Sequence, residues 1–194
     1  MSAIPPPQEK LDPRVKRTRA LIQQAFNELL AEKGFNAISV QDITRQAEIN
    51  RATFYAHFPD KYALLEYSIR QAFMQALEKR TLSACHYSPD NLKALVVIVC
   101  EFLAQANNLC KAGENHFESL VENQVRKQIQ ELLEFWLEQV RSELDPKTAA
   151  TAASWVIYGL AQEWSRNKHR SPAEVYAQDI LPLVQSNLQL KEDG

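Results

Sequence analysis

The chain has 194 residues, 45% of them hydrophobic and 24% charged, with a formal net charge of −2. That composition fits a globular protein with a substantial core, either one domain or a small domain joined to a larger one. Only four glycines are present, which favours long helices over a β-sandwich, and no apolar run reaches the ~18 residues of a membrane span.

The opening "MSAIPPPQEK" has no apolar signal-peptide core, and residues 1–11, with their "PPP" triplet, read as a flexible, extended leader. Cys85, Cys100 and Cys110 are odd in number and sit in apolar surroundings, so free thiols in a cytoplasmic protein are expected. Charge is unevenly distributed. Residues 1–62 carry nine Lys/Arg against seven Asp/Glu, whereas residues 63–194 carry 13 against 17. The positive excess is densest in "EKLDPRVKRTR", where Lys16 and Arg17 are candidates for contact with an anionic polymer; a solvated face is the plain alternative.

Asp12 is placed to cap a first helix over residues 12–33, with Pro13 at its first position, where a missing N–H costs nothing. Val15, Ile22, Phe26, Leu29 and Leu30 form its apolar stripe. Gly34 supplies the left-handed stop, and Phe35 folds back behind it. Ser39 caps a second helix that turns Val40, Ile43 and Ala47 inward. Asn50 caps a third from Arg51, pinned by Ile49, Phe54 and Phe58. Pro59 ends that helix and Asp60 caps the next, from Lys61. Two short helices joined by a tight turn and packed on a longer one make a helix-turn-helix over residues 12–60. The alternation of Arg51, Thr53, Tyr55 and His57 would also suit a strand, but no neighbouring segment shows period two.

From Thr18 to Leu65 the residues "TRALIQQAFNELLAEKGFNAISVQDITRQAEINRATFYAHFPDKYALL" resemble the DNA-binding domain of the TetR/AcrR transcription regulators. The resemblance rests on "AEKGF", "SVQDI" and "TFYAHFPDK" in that order and spacing. One departure is Glu48, where the family usually places Gly in the turn; a positive φ there would cost Glu on the order of 1 kcal/mol. The resemblance implies an all-α protein, its helix-turn-helix followed by a larger helical effector-binding and dimerisation domain over residues 61–194. The third helix would enter the major groove of operator DNA. Arg51 can pair with guanine and Gln41 with adenine. Ala52, Thr53 and Tyr55 share the reading surface, and Ser39, His57 and Lys61 are implied phosphate anchors.

Further helices are expected near 61–82, 90–111, 114–143 (broken once), 146–168 and 172–189. The resemblance implies homodimerisation through the last two. Ala149, Ala153 and Gly159 would admit a close partner helix, and Ala177, Ile180, Leu181, Val184 and Leu188 form a stripe on the last; the same residues would equally suit the chain's own core. A small-molecule effector site is likewise implied. Phe73, Phe102, Phe117, Trp136, Trp155 and Tyr158 offer apolar surface for it, and Glu163 a carboxylate for a cationic effector or a partner's arginine. Glu101 is expected to face solvent.

Neither Cys110 with His116 nor Cys85 with His86 gives a repeated metal-ligand spacing, and there is no glycine-rich phosphate loop. No catalytic group, metal or cofactor is therefore expected. The sequence reading is a ligand-responsive repressor acting as a homodimer on a palindromic operator. An activator with the same domain, or a helical dimer that no longer reads DNA, are the alternatives.

Overall fold

The computed structural model describes residues 12–80, 86–109, 115–140 and 142–190. Among them run eight helices: α1 (Pro13–Lys33), α2 (Val40–Gln46), α3 (Arg51–His57), α4 (Lys61–Arg80), α5 (Pro89–Leu109), α6 (Asn115–Leu137), α7 (Pro146–Arg166) and α8 (Ala173–Ser186). The expected leader over residues 1–11, with Cys85 and Cys110, lies outside the described residues.

Local chemistry sets the first three helices. Asp12 Oδ1 accepts from the Arg14 amide at 2.8 Å, and Pro13 opens α1. Gly34 ends it with φ 77° and ψ 163°, a region that only glycine enters freely. The φ is positive as the sequence implied, but ψ is extended rather than left-handed helical. Ser39 and Asp42 form a reciprocal capping box on α2. Asn50 Oδ1 caps α3, accepting from the Thr53 amide at 2.7 Å. Between α2 and α3 the chain turns through Glu48 at φ 54°, and the Ile49 amide donates back to the Thr44 carbonyl at 3.0 Å. Asp60 Oδ1 accepts from the Tyr62 and Ala63 amides, both at 2.8 Å, to start α4.

The remaining helices form the body. α6 packs on α7, α7 on α5, α5 on α8, and α4 lies against both α5 and α6. The break expected in the sixth helix is absent: α6 is continuous and stops at Leu137, and turn residues follow it. A feature with no sequence signal closes the α6–α7 connection. An isolated antiparallel bridge joins Ser142 to Leu190, the Glu143 amide donates to the Gln189 carbonyl at 3.0 Å, and Gln189 adopts φ 43°.

The expected boundary at residues 60/61 falls at the α3–α4 turn, yet buried apolar residues run across it as one cluster from Ile22 to Leu188. Phe35 is the junction. Its ring lies 6.3 Å from Phe26, 5.4 Å from Tyr62 and 5.6 Å from Phe117 of α6. At the far end of α4, Arg80 binds both Glu101 and Glu174; Glu101 faces solvent as expected, its side chain 39% exposed, while pairing α5 with α4. None of the described helices is long and apolar enough to cross a membrane.

Candidate nucleic-acid interface

α3 is two turns long and held from below. Phe54 is fully buried, Phe58 nearly so, and their rings pack 6.0 Å apart. With those anchors inward, Arg51, Ala52 and Tyr55 are exposed, Tyr55 at 51%, and no other part of the described chain covers them. Thr53 is half-buried, and its hydroxyl donates to Asn50 Oδ1 at 2.9 Å. Its lone pairs and methyl group remain for an outside contact. On α2, Gln41 is exposed, and so is Arg45 one turn later on the same face. Arg45 was missed in the sequence reading, although its i, i+4 spacing from Gln41 was the available signal.

The implied phosphate anchors differ from one another. Lys16 and Arg17 project from the exposed first turns of α1. Ser39 is occupied in its cap: the hydroxyl donates to Asp42 Oδ2 at 2.6 Å and accepts from the Asp42 amide at 3.2 Å. The hydroxyl, the Ser39 amide donating to the same Oδ2 at 2.9 Å, and Lys33 beside the carboxylate at 3.0 Å hold Asp42 well below the usual carboxylate range. Lys61 departs furthest from expectation. Its ammonium donates to the carbonyls of Ile38 at 2.8 Å, Phe35 at 3.1 Å and Asn36 at 3.4 Å, and sits 4.6 Å from the Phe35 ring centre. A lysine used this way ties the α1–α2 loop to the start of α4.

His57 is half-buried at the end of α3; burial, then the charge of Arg19, lower its pKa. Arg19 lies 5.9 Å from the Phe58 ring centre and 5.6 Å from that of Tyr67, clamping α1 onto α3 and α4 by cation–π contact. Sequence could not separate Arg19 from the basic run around it.

In the body the expected residues divide. Phe73, Phe117, Trp136 and Tyr158 are buried and Phe102 partly so, with Phe73 and Phe102 in edge contact at 6.3 Å. Burial raises the Tyr158 hydroxyl to about 12, and likewise the Cys100 thiol. Trp155 and Glu163 do not join them: Trp155 is 50% exposed, stacked under the Arg126 guanidinium at 3.6 Å, and Glu163 is exposed. An interior carboxylate for a cationic effector is therefore corrected. The interface stripe is corrected too. Ala149, Ala153, Ala177, Leu181, Val184 and Leu188 are buried in the chain's own core, Ile180 is half-buried, and only Gly159 is exposed. The packing of α7 on α5 and α6, and of α8 on α5, takes up those faces. The opposite face of α7 presents Ala152, Trp155, Gly159 and Glu163, and α8 presents Val175 and Leu183.

Residues 22–67 match the domain described as bacterial regulatory proteins, tetR family. An uncharacterised HTH-type transcriptional regulator of Bacillus subtilis (strain 168), YxbF, is 31% identical over 189 residues, covering 94% of this chain and 49% of its own length. The chain thus spans about half of that curated relative. Among solved structures, the fatty acid degradation regulator FadR of Bacillus halodurans is 18% identical at a TM-score of 0.58, covering 94% of this chain and 100% of its own. FadR of Thermus thermophilus, a TetR-family repressor solved with lauroyl-CoA, is 20% identical at 0.59, covering 90% and 97%. At those identities the likeness is one of fold.

Proposed function

Because residues 22–67 belong to the tetR family of bacterial regulatory proteins, we propose that the chain is a sequence-specific DNA-binding transcriptional regulator, a repressor released by a small molecule. The observation that carries this reading is α3 itself: a short helix pinned by Phe54, with Arg51, Ala52 and Tyr55 turned outward and uncovered. Arg51 reads a guanine in the major groove, with Gln41 on the neighbouring helix as the second base contact. Lys16, Arg17 and Arg45 supply phosphate contacts that set register.

One such domain buries little DNA, so a second copy is required, its recognition helix ~34–36 Å away or a multiple of that. The outer face of α7 suits that pairing. Gly159 sits mid-helix, where glycine costs about 1 kcal/mol relative to alanine. A Cβ added there meets nothing within 4 Å, so the chain itself does not require glycine at this site. Close approach of a partner helix supplies the reason. An effector held in the body changes the spacing of the two α3 helices, with coupling of ~1–3 kcal/mol.

Selection of bound fragments from a random DNA pool tests the reading. Enriched, two-fold symmetric half-sites are expected, and Arg51→Ala should cost about 1–3 kcal/mol and relax preference at one base. No enriched sequence for the unaltered chain would leave the helical interaction protein instead.

A further inference from the structure

Five polar side chains are buried among the described residues: Thr44, Ser68, Gln128, Ser154 and Ser165. Three are satisfied by their own helices. Thr44 Oγ1 donates to the Gln41 carbonyl at 3.1 Å, Ser154 Oγ to Thr151 at 2.7 Å, and Ser165 Oγ to Gln162 at 2.8 Å. Ser68 Oγ and Gln128 Nε2 are enclosed and meet no hydrogen-bond partner. Residue exposure is 7% at Ser68 and 5% at Gln128.

A hydroxyl or amide taken out of water without a partner destabilises a fold, so almost every such group is paired. Four enclosed side-chain atoms lack such a partner among the described residues; two are the Nε atoms of Arg19 and Arg126, whose guanidinium groups lie over aromatic rings, and the two uncharged ones lie on helices that pack together, Ser68 on α4 and Gln128 on α6. Both helices begin beside the same ring, since Lys61 and Phe117 each contact Phe35. At 1.5 Å of rise per residue, Ser68 lies about 10 Å along α4 from Lys61 and Gln128 about 16 Å along α6 from Phe117. Counted along the two helices from that ring, the two orphaned groups differ by about 6 Å.

Their setting defines what would satisfy them. Gln128 follows Val121 and Val125 and precedes Leu132 on the buried line of α6, and Ser68 is flanked by Leu65 and Ile69. None of the five buried polar residues is ionised at neutral pH. The nearest cation along α6, Arg126, is already engaged by the Trp155 ring at 3.6 Å and Glu122 at 4.0 Å, so a charged head group would find no free countercharge on that helix, whereas an unmet amide N–H requires an acceptor.

We propose that Gln128 Nε2, assisted by the Ser68 hydroxyl, binds the acceptor oxygen of an uncharged, mainly apolar carbonyl compound taken up between α4 and α6. The proposal rests on the body being an effector domain and names the chemical class of that effector. Its polar specificity comes from one amide, and its affinity from the apolar side chains around it.

The test uses the full chain and three probes of equal length: 2-nonanone, n-nonane and nonanoate, titrated calorimetrically against the unaltered protein and Gln128→Leu. The ketone should bind the unaltered chain at least tenfold more tightly than either the alkane or the carboxylate, and Gln128→Leu should erase that preference. The urea midpoint of Gln128→Leu should stay level or rise, because the unmet donor is gone. Absence of ketone binding, equal ketone binding by Gln128→Leu, a preference for the alkane or the carboxylate, or a lowered urea midpoint would each overturn the proposal. Failure of the regulator reading shows separately, as absence of sequence-selective DNA binding by the unaltered chain without any probe.

Discussion

Replacing Lys61 by methionine separates an internal tie from a phosphate anchor. Methionine keeps most of the stem and deletes the three N–H donors. The bonds to Ile38 and Phe35, at 2.8 and 3.1 Å, are the substantial ones; the 3.4 Å contact to Asn36 adds little. The Phe35 carbonyl keeps a second donor in the Ile38 amide at 3.2 Å, which softens the loss there. A hydrogen bond from a charged group contributes roughly 1.5–3 kcal/mol, and the cation–π contact adds about 0.5–1. Lys61 is half-buried, so water recovers part of both. A net loss of about 2–3 kcal/mol is expected, lowering Tm by roughly 4–12 °C. Melting followed by circular dichroism measures that loss, and operator affinity across a salt series measures the charge contact. The slope of affinity against salt should match that of the unaltered chain, because an ammonium held by carbonyls neutralises no phosphate. Unchanged melting with a slope shallower by about one would refute the internal assignment and restore the anchor.

Glu48→Gly removes a side chain from φ 54°; it should stabilise the fold by about 1 kcal/mol and raise Tm by roughly 2–4 °C, and a lower Tm would show that Glu48 makes a compensating contact. Gly159→Leu places a branched side chain on the exposed face of α7 and should raise the dimer dissociation constant at least tenfold in sedimentation equilibrium, whereas unchanged association would move the interface elsewhere. For His57 the folded state favours the neutral ring, so it binds fewer protons than the unfolded chain. The stability this contributes is fully present above the unfolded value near 6.5 and is lost as pH falls through 6.5 toward the folded pKa. The urea midpoint of the unaltered chain should therefore fall more steeply below about pH 6.5 than that of His57→Gln; parallel curves would contradict the burial of the ring.

The helix-turn-helix was legible because its information is local. Asp12, Ser39, Asn50 and Asp60 each hydrogen-bond backbone amides two or three residues on, and Phe54 and Phe58 mark one face within two turns. The turn at Glu48, where the resemblance usually places glycine, marked the position at which a positive φ is found. What a capped helix turns outward follows from which ring it buries, and both are written within ten residues.

In the body that logic runs out. α7 is rich in small residues, so Ala149 and Ala153 on one side and Ala152 and Gly159 on the other look alike in sequence; the packing of α5 and α6 decides which side is core. Lys61 reads as a surface cation until the loop 23 residues earlier in the chain brings its carbonyls within 2.8 Å. The amide of Gln128 is one more polar residue on an amphipathic helix until the packing of the body encloses it. The sequence by itself determined the helices and, within residues 12–60, their ends and the outward face of α3, because caps and apolar spacing act over one or two turns. Only the tertiary structure decided which faces are interior, which charges are already taken and which polar groups lack a partner, because each depends on what distant segments place against them.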